Sequence, residues 1–111
     1  MKELTSAEIT EMAITQLKYL GFEVWRANNI AVKGRKFIGK RGCADITGYH
    51  KQTGRRLECE VKKIGDDLSA EQKKFLIEIS EAGGNAYVAF DNGNGSIRID
   101  DIWSYYRLRI K

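Results

Sequence analysis

Apolar residues near the start of the chain fall at Ile9, Met12, Ala13, Leu17 and Leu20, the three-and-four spacing of one buried stripe, and predict an amphipathic helix. Thr5 followed by Glu8 has the form of a capping box at its start, and Gly21 closes it. The period then changes to two: Phe22, Val24 and Arg26 alternate with Glu23 and Trp25 as a short strand. A second alternating stretch, Asp45-Ile46-Thr47-Gly48-Tyr49, leads through a polar, glycine-ended turn, His50 to Gly54, into a third at Arg55 to Lys63, and the pair predicts a hairpin. Gly65-Asp66-Asp67-Leu68 reads as a loop. Ser69 and Gln72 form another possible capping box ahead of Phe75, Leu76 and Ile79, and Gly83-Gly84 ends that helix. Ala86 to Phe90 is a nearly continuous apolar run, as in a strand covered on both faces. Asp91 to Gly95 is turn chemistry, Ser96 to Ile99 is a last edge strand or extended segment, and Asp100 is placed to cap a short helix through Ile102, Trp103, Tyr106 and Leu108. Helices interleaved with strands in this order predict an α/β domain.

Composition narrows the class. The 111 residues are enough for one domain with a single modest core, spanning residues 1–111, and 42% hydrophobic with 31% charged residues is a folding composition. The formal net charge of +4 is compatible with a polyanionic partner, and it is concentrated. Between Asn28 and Gly42, Lys33, Arg35, Lys36, Lys40 and Arg41 give five cations and no acid in 15 residues, a loop or hairpin suited to lie against phosphates. Such contacts position a protein without reading base identity. Cys43 and Cys59 lack the spacing of a zinc site or redox pair, so reduced thiols are expected. No apolar run approaches the ~20 residues of a membrane span, and the N-terminal residues have no hydrophobic signal region; the expectation is an intracellular, cytoplasmic protein without a membrane partner.

Candidate chemistry centres on the third strand. Alternation puts Glu58, Glu60 and Lys62 on one face and Leu57, Cys59 and Val61 on the other. Pairing with the preceding strand brings Asp45 beside Glu60, and two clustered carboxylates are a hard-cation site. Glu58 lies one strand repeat, about 7 Å, farther along and is expected at the rim, paired with Arg56 or a lysine. His50, the only histidine, is expected as a turn residue, and Cys59 as inert core packing. Lys63, Lys73 and Lys74 either extend a phosphate-binding surface or are solvated.

These motifs resemble the PD-(D/E)xK nuclease superfamily, and most closely its stand-alone VRR-NUC branch, over roughly residues 5 to 90. In that family an acid on the first helix precedes a basic, glycine-containing loop, a G-x-P-D motif opens one strand, E-V-K lies on the next, and L-S-x-x-Q begins the following helix. The matching residues are Glu8, then Gly42-Cys43-Ala44-Asp45, then Glu60-Val61-Lys62, then Leu68-Ser69-Ala70-Glu71-Gln72. Ala44 departs from the family's proline, which shapes the backbone and donates no ligand.

The resemblance implies a restriction-endonuclease-like core, a central mixed β-sheet flanked by helices, and a metal-dependent endonuclease acting on DNA, with branched structures such as four-way junctions favoured. It implies Mg²⁺, with Mn²⁺ able to substitute, held by Asp45, Glu60 and the Val61 carbonyl, and no small-molecule cofactor. Lys62 would direct its ammonium at the attacking water or the scissile phosphate. Glu8, acting through a metal-bound water, and Gln72 complete the set, although each equally fits a pure capping role. A homodimer is implied, with Trp103, Tyr105 and Tyr106 serving either as interface anchors or as core. The competing reading is a non-catalytic basic nucleic-acid-binding module whose acids form salt bridges; it predicts salt-sensitive binding with no metal requirement and no cleavage.

Overall fold

The computed structural model describes residues 3–27 and 43–109. Its elements are α1 (Ser6–Tyr19), β1 (Phe22–Arg26), β2 (Ile46–His50), β3 (Arg56–Lys62), α2 (Ala70–Glu81), β4 (Asn85–Asp91), β5 (Ile97–Asp101) and α3 (Ile102–Arg109). The strands form one mixed sheet in the order β1-β2-β3-β4-β5. β3 and β4 are parallel and every other neighbouring pair is antiparallel. Parallel neighbours need a crossover, and α2 supplies it.

Alternation along the strands sorts the core into two layers. Leu57, Cys59 and Val61 point to the face where α1 packs, meeting Ile9, Ala13 and Leu17 together with Phe22, Val24 and Ile46. Ala86 and Val88 point to the opposite face, where α2 contributes Phe75 and Leu76 and α3 contributes Ile102 and Tyr105. α1 reaches across β1, β3, β4 and β5, whereas α2 lies over β3 and β4 and α3 over β4 and β5. β3 is therefore roofed on both sides, and Leu57 through Val61 are all buried. The Leu4 amide donates to the buried Asp91 carboxylate at 2.8 Å, fastening the start of α1 to the end of β4.

Both capping boxes form. Thr5 and Glu8 exchange bonds of 2.9 and 3.1 Å, as do Ser69 and Gln72. At the end of α1, Leu20 is the capping residue and Gly21 follows it with φ of 99°, a left-handed conformation that glycine adopts without strain.

Three expectations shift. β2 begins at Ile46, leaving Asp45 just ahead of the strand rather than within it. Residues 97–101 are a true edge strand, and Asp101, not Asp100, caps α3, accepting from the Trp103 and Ser104 amides at 2.9 Å each. Asp100 is instead engaged by Arg98 at 3.1 Å. Tyr105 belongs to the core at 2% exposure, its hydroxyl donating to Asp67 at 3.0 Å, while Trp103 stays exposed. The basic residues Lys33, Arg35, Lys36, Lys40 and Arg41 lie outside the described residues.

Candidate metal centre

The hairpin register pairs Ile46 with Cys59, so Asp45, the residue before β2, comes opposite Glu60. Because β2 stops while β3 runs on to Lys62, the Val61 amide has no strand carbonyl on that side, and Asp45 Oδ2 accepts it at 2.9 Å. The Asp45 carbonyl in turn accepts from the Ala27 amide at 2.8 Å. The acid is thus fixed between β1 and β3 by its own backbone and side chain.

The two carboxylates differ in surroundings. Asp45 is exposed, whereas Glu60 is only 3% exposed, beneath it on the central strand. Their side chains are in hydrogen-bonding contact, and burial first, then the bond and the charge of Asp45, push the Glu60 carboxyl up to about 9, against the opposing pull of Lys62 and the Val61 amide. One carboxylate oxygen, Glu60 Oε2, is buried with no hydrogen-bond partner. A buried, unpartnered oxygen facing a second carboxylate is costly unless it is protonated or a cation is present. Oxygen donors of this kind fit a hard divalent ion, which holds part of its coordination shell as water. Among the described residues no three or more His, Cys, Asp or Glu side chains converge on one point, so a cation here would find two carboxylates from the chain.

Glu8 and Gln72 are not drawn into that pair by the bonds described above; both close their helix caps. Glu8 stands in the first turn of α1, whose start is fastened to the end of β4 by the Leu4–Asp91 bond, at the same end of the sheet as Glu60 and Lys62. Glu58 is a correction to the rim expectation. It is 2% exposed, bonded by the Thr47 hydroxyl at 2.5 Å and by Arg56 Nε at 2.8 Å, so its pairing with Arg56 holds but its place is the interior. The coverage by α2 buries it, and Thr47, which stands opposite it in the register, supplies a bond the acidic pattern alone did not reveal. His50 Nδ1 accepts from the Gln52 and Thr53 amides at 3.2 and 3.4 Å, a turn-closing role. Cys59 lies behind the acids on the α1 face, where burial and then the charges of Glu60 and Asp45 drive its thiol far above the ordinary range.

A mixed sheet with α1 on one face and α2 and α3 on the other, and two acids at the end of its central hairpin, is a restriction-endonuclease-like core. The same fold is seen in Hjc, a Holliday junction resolvase from the archaeal hyperthermophile Archaeoglobus fulgidus, with a TM-score of 0.59 over 87% of this chain and 77% of the resolvase at 22% sequence identity. No protein-family model matches the chain. No curated protein matches it either. Among the described residues no helix is long and apolar enough to cross a membrane.

Proposed function

We propose that this protein is a divalent-metal-dependent endodeoxyribonuclease of the PD-(D/E)xK type, of the stand-alone VRR-NUC branch, selective for branched DNA and acting as a homodimer. The observation that carries the reading is the opposition of Asp45 and Glu60 with Glu60 Oε2 buried and unpartnered, two residues ahead of Lys62 on β3. The fold shared with a Holliday junction resolvase supports four-way junctions as the first substrate to try.

Asp45 and Glu60, with the Val61 carbonyl, would hold Mg²⁺ or Mn²⁺, and a bound divalent cation neutralises phosphate charge and makes water a usable nucleophile near neutral pH. The chain's own residues set the geometry. Asp45 is held by the Ala27 amide on its carbonyl and the Val61 amide on its carboxylate, so its carboxylate is fixed beside Glu60. Lys62 is close enough to Glu60 to favour its charged form, and its ammonium is the group available to a phosphate oxygen or to the attacking water. Glu8, through a bound water, and Gln72 are assigned supporting roles. Lys33, Arg35, Lys36, Lys40 and Arg41 are assigned to phosphate contacts.

The test is cleavage of labelled four-way-junction, flap, single-stranded and linear duplex DNA in Mg²⁺, Mn²⁺ or EDTA, with wild type beside Lys62→Ala and Asp45→Asn. Metal-dependent cutting abolished in both variants is the expected result. Salt-sensitive binding without cutting in either metal would leave the non-catalytic binding module instead.

A further inference from the structure

Among the described residues, the helices leave one part of the sheet uncovered. On the face that carries Glu60, α2 and α3 cover β3 to β5, and the β1–β2 portion carries Glu23, Trp25, Thr47 and Tyr49 outward. Trp25 and Tyr49 are 49% and 43% exposed, with ring centroids 6.4 Å apart at 68°. Arg56, on the same face beside Tyr49 in the register, is held by Glu58 at 2.8 Å with its guanidinium 5.7 Å from the Phe75 ring centre, so its charge stands at the edge of the shelf without freedom to wander. Trp25 pairs with Thr47, two residues from Asp45. It therefore stands one strand repeat, ~7 Å, along the sheet and one strand, ~5 Å, across from Asp45 on the same face, with Glu60 one strand farther. The linkage is rigid, since the Ala27 amide, two residues beyond Trp25, bonds the Asp45 carbonyl.

Size decides between occupants. Two strands of five residues each offer roughly 17 by 10 Å, near 170 Å², whereas a stable protein interface covers ~800 Å² per partner. That area suits one or two flat rings. Exposed aromatics on an open sheet face bordered by a cation are the arrangement on which unpaired bases stack, while the stacked bases of an intact duplex have no free face to offer.

We propose that the β1–β2 face is a stacking shelf on which Trp25, bracketed by Tyr49 and Arg56, receives an unpaired nucleobase of the strand whose backbone lies at Asp45 and Glu60. It deepens the nuclease reading and rests on it: the substrate class is DNA with an unpaired nucleotide beside the cut, as at a branch, flap or frayed end.

The chain has two tryptophans, so Trp103→Phe makes Trp25 the sole indole reporter. That variant is titrated in EDTA with a fluorescein-labelled oligothymidylate and with a blunt duplex of equal length, reading anisotropy and Trp25 emission together. Oligothymidylate is expected to quench Trp25 to saturation and the duplex is not. Trp25→Ala is expected to weaken single-strand affinity by about 5- to 100-fold and Trp25→Phe by far less, the loss of one stacked base. Anisotropy that rises with oligothymidylate while Trp25 emission stays constant overturns the shelf. So does Trp25→Ala binding and cutting flap DNA as wild type does, or becoming monomeric in sedimentation when wild type is dimeric, which would give the face to a second copy. These binding readouts need no cleavage, so a wild type that quenches on oligothymidylate but cuts nothing sinks the nuclease assignment and leaves the shelf standing.

Discussion

Asp45 and Glu60 meet at the end of the β2–β3 hairpin with their carboxylates in contact, one exposed and bonded to the Val61 amide at 2.9 Å, the other buried with an oxygen left unpartnered. Like charges this close cannot both be ionised cheaply without a cation, and the hairpin register sets the two residues opposite each other.

The first consequence concerns stability without metal. Glu60 has a folded value of about 9 against an ordinary 4.5, so the folded state retains its proton while the unfolded state has lost it. The contribution is fully present below the unfolded value and is lost as pH rises toward the folded one. Metal-free protein should therefore lose stability steadily between pH 5 and pH 8.5 from this site, read as a falling Tm. Glu60→Gln should flatten that dependence and melt higher than wild type at pH 8 in EDTA. Mn²⁺ should raise the Tm of wild type but not of the variant, and differential scanning calorimetry reads all three effects.

Lys62 separates binding from turnover. Lys62→Met keeps the aliphatic stem and removes the ammonium, so the Mn²⁺-induced rise in Tm should survive at slightly lower apparent affinity. Junction cleavage should fall by about 10²- to 10⁴-fold, the range for losing a group that positions or transfers a proton. A loss of the thermal shift as large as the loss of rate would make Lys62 a scaffold of the metal site instead.

Glu8 holds a cap whatever else it does, and charge is what distinguishes the roles. Glu8→Gln retains an oxygen able to accept from the Thr5 amide, so stability should change by no more than about 0.5 kcal/mol. If Glu8 also steadies the hydrated shell of the cation, cleavage should drop about 10- to 100-fold at unchanged Tm. Thr5→Ala is the complementary control: it should cost about 1 kcal/mol of stability with little direct effect on the rate.

Much of this was legible because it is local. Thr5 with Glu8 and Ser69 with Gln72 announce caps within four residues, and the polar turn ending at Gly54 fixes the hairpin that sets Asp45 against Glu60. What failed depends on partners far along the chain. Glu58 looks like a rim acid until α2, joined to β4, is laid over β3; the alternation that marks a solvated face then marks a buried one. Asp100 and Asp101 are adjacent acids, and only the point at which β5 stops pairing with β4 selects the second as the cap. The open β1–β2 face was equally hidden, since periodicity states which residues share a face but not how far a helix extends across it.

Thiol chemistry tests the two-sided burial of β3. Cys59 is fully buried with its thiol pushed upward by burial and by the neighbouring acids, whereas Cys43 is half-buried. The thiolate is the reactive species. Iodoacetamide at pH 8 should modify Cys43 alone in the native protein, and Cys59 only after denaturant is added. Mass spectrometry of the intact chain would show one adduct, then two.

Gly48 gives the sharpest mechanical prediction. It pairs with Val24 on one side and Leu57 on the other, and a Cβ built there would lie 1.9 Å from the Glu23 carbonyl oxygen and 2.8 Å from the Val24 Cα. Both are backbone atoms of β1, so relief requires moving the strand, not turning a side chain. Gly48→Ala should therefore cost about 2–3 kcal/mol or more, at the upper end of overpacking, and lower Tm by roughly 10 °C or more. Gly54→Ala is the matched control: nothing lies within 4 Å of its Cβ position, and only its φ of 73° is strained, for a cost near 1 kcal/mol. The two should also differ in activity below their melting points. Displacing β1 pulls the Ala27 amide away from the Asp45 carbonyl, so Gly48→Ala should lose metal affinity at temperatures where it is still folded, and Gly54→Ala should not. Equal Mn²⁺-induced shifts in Tm for the two variants would mean that β1 does not hold Asp45 in place.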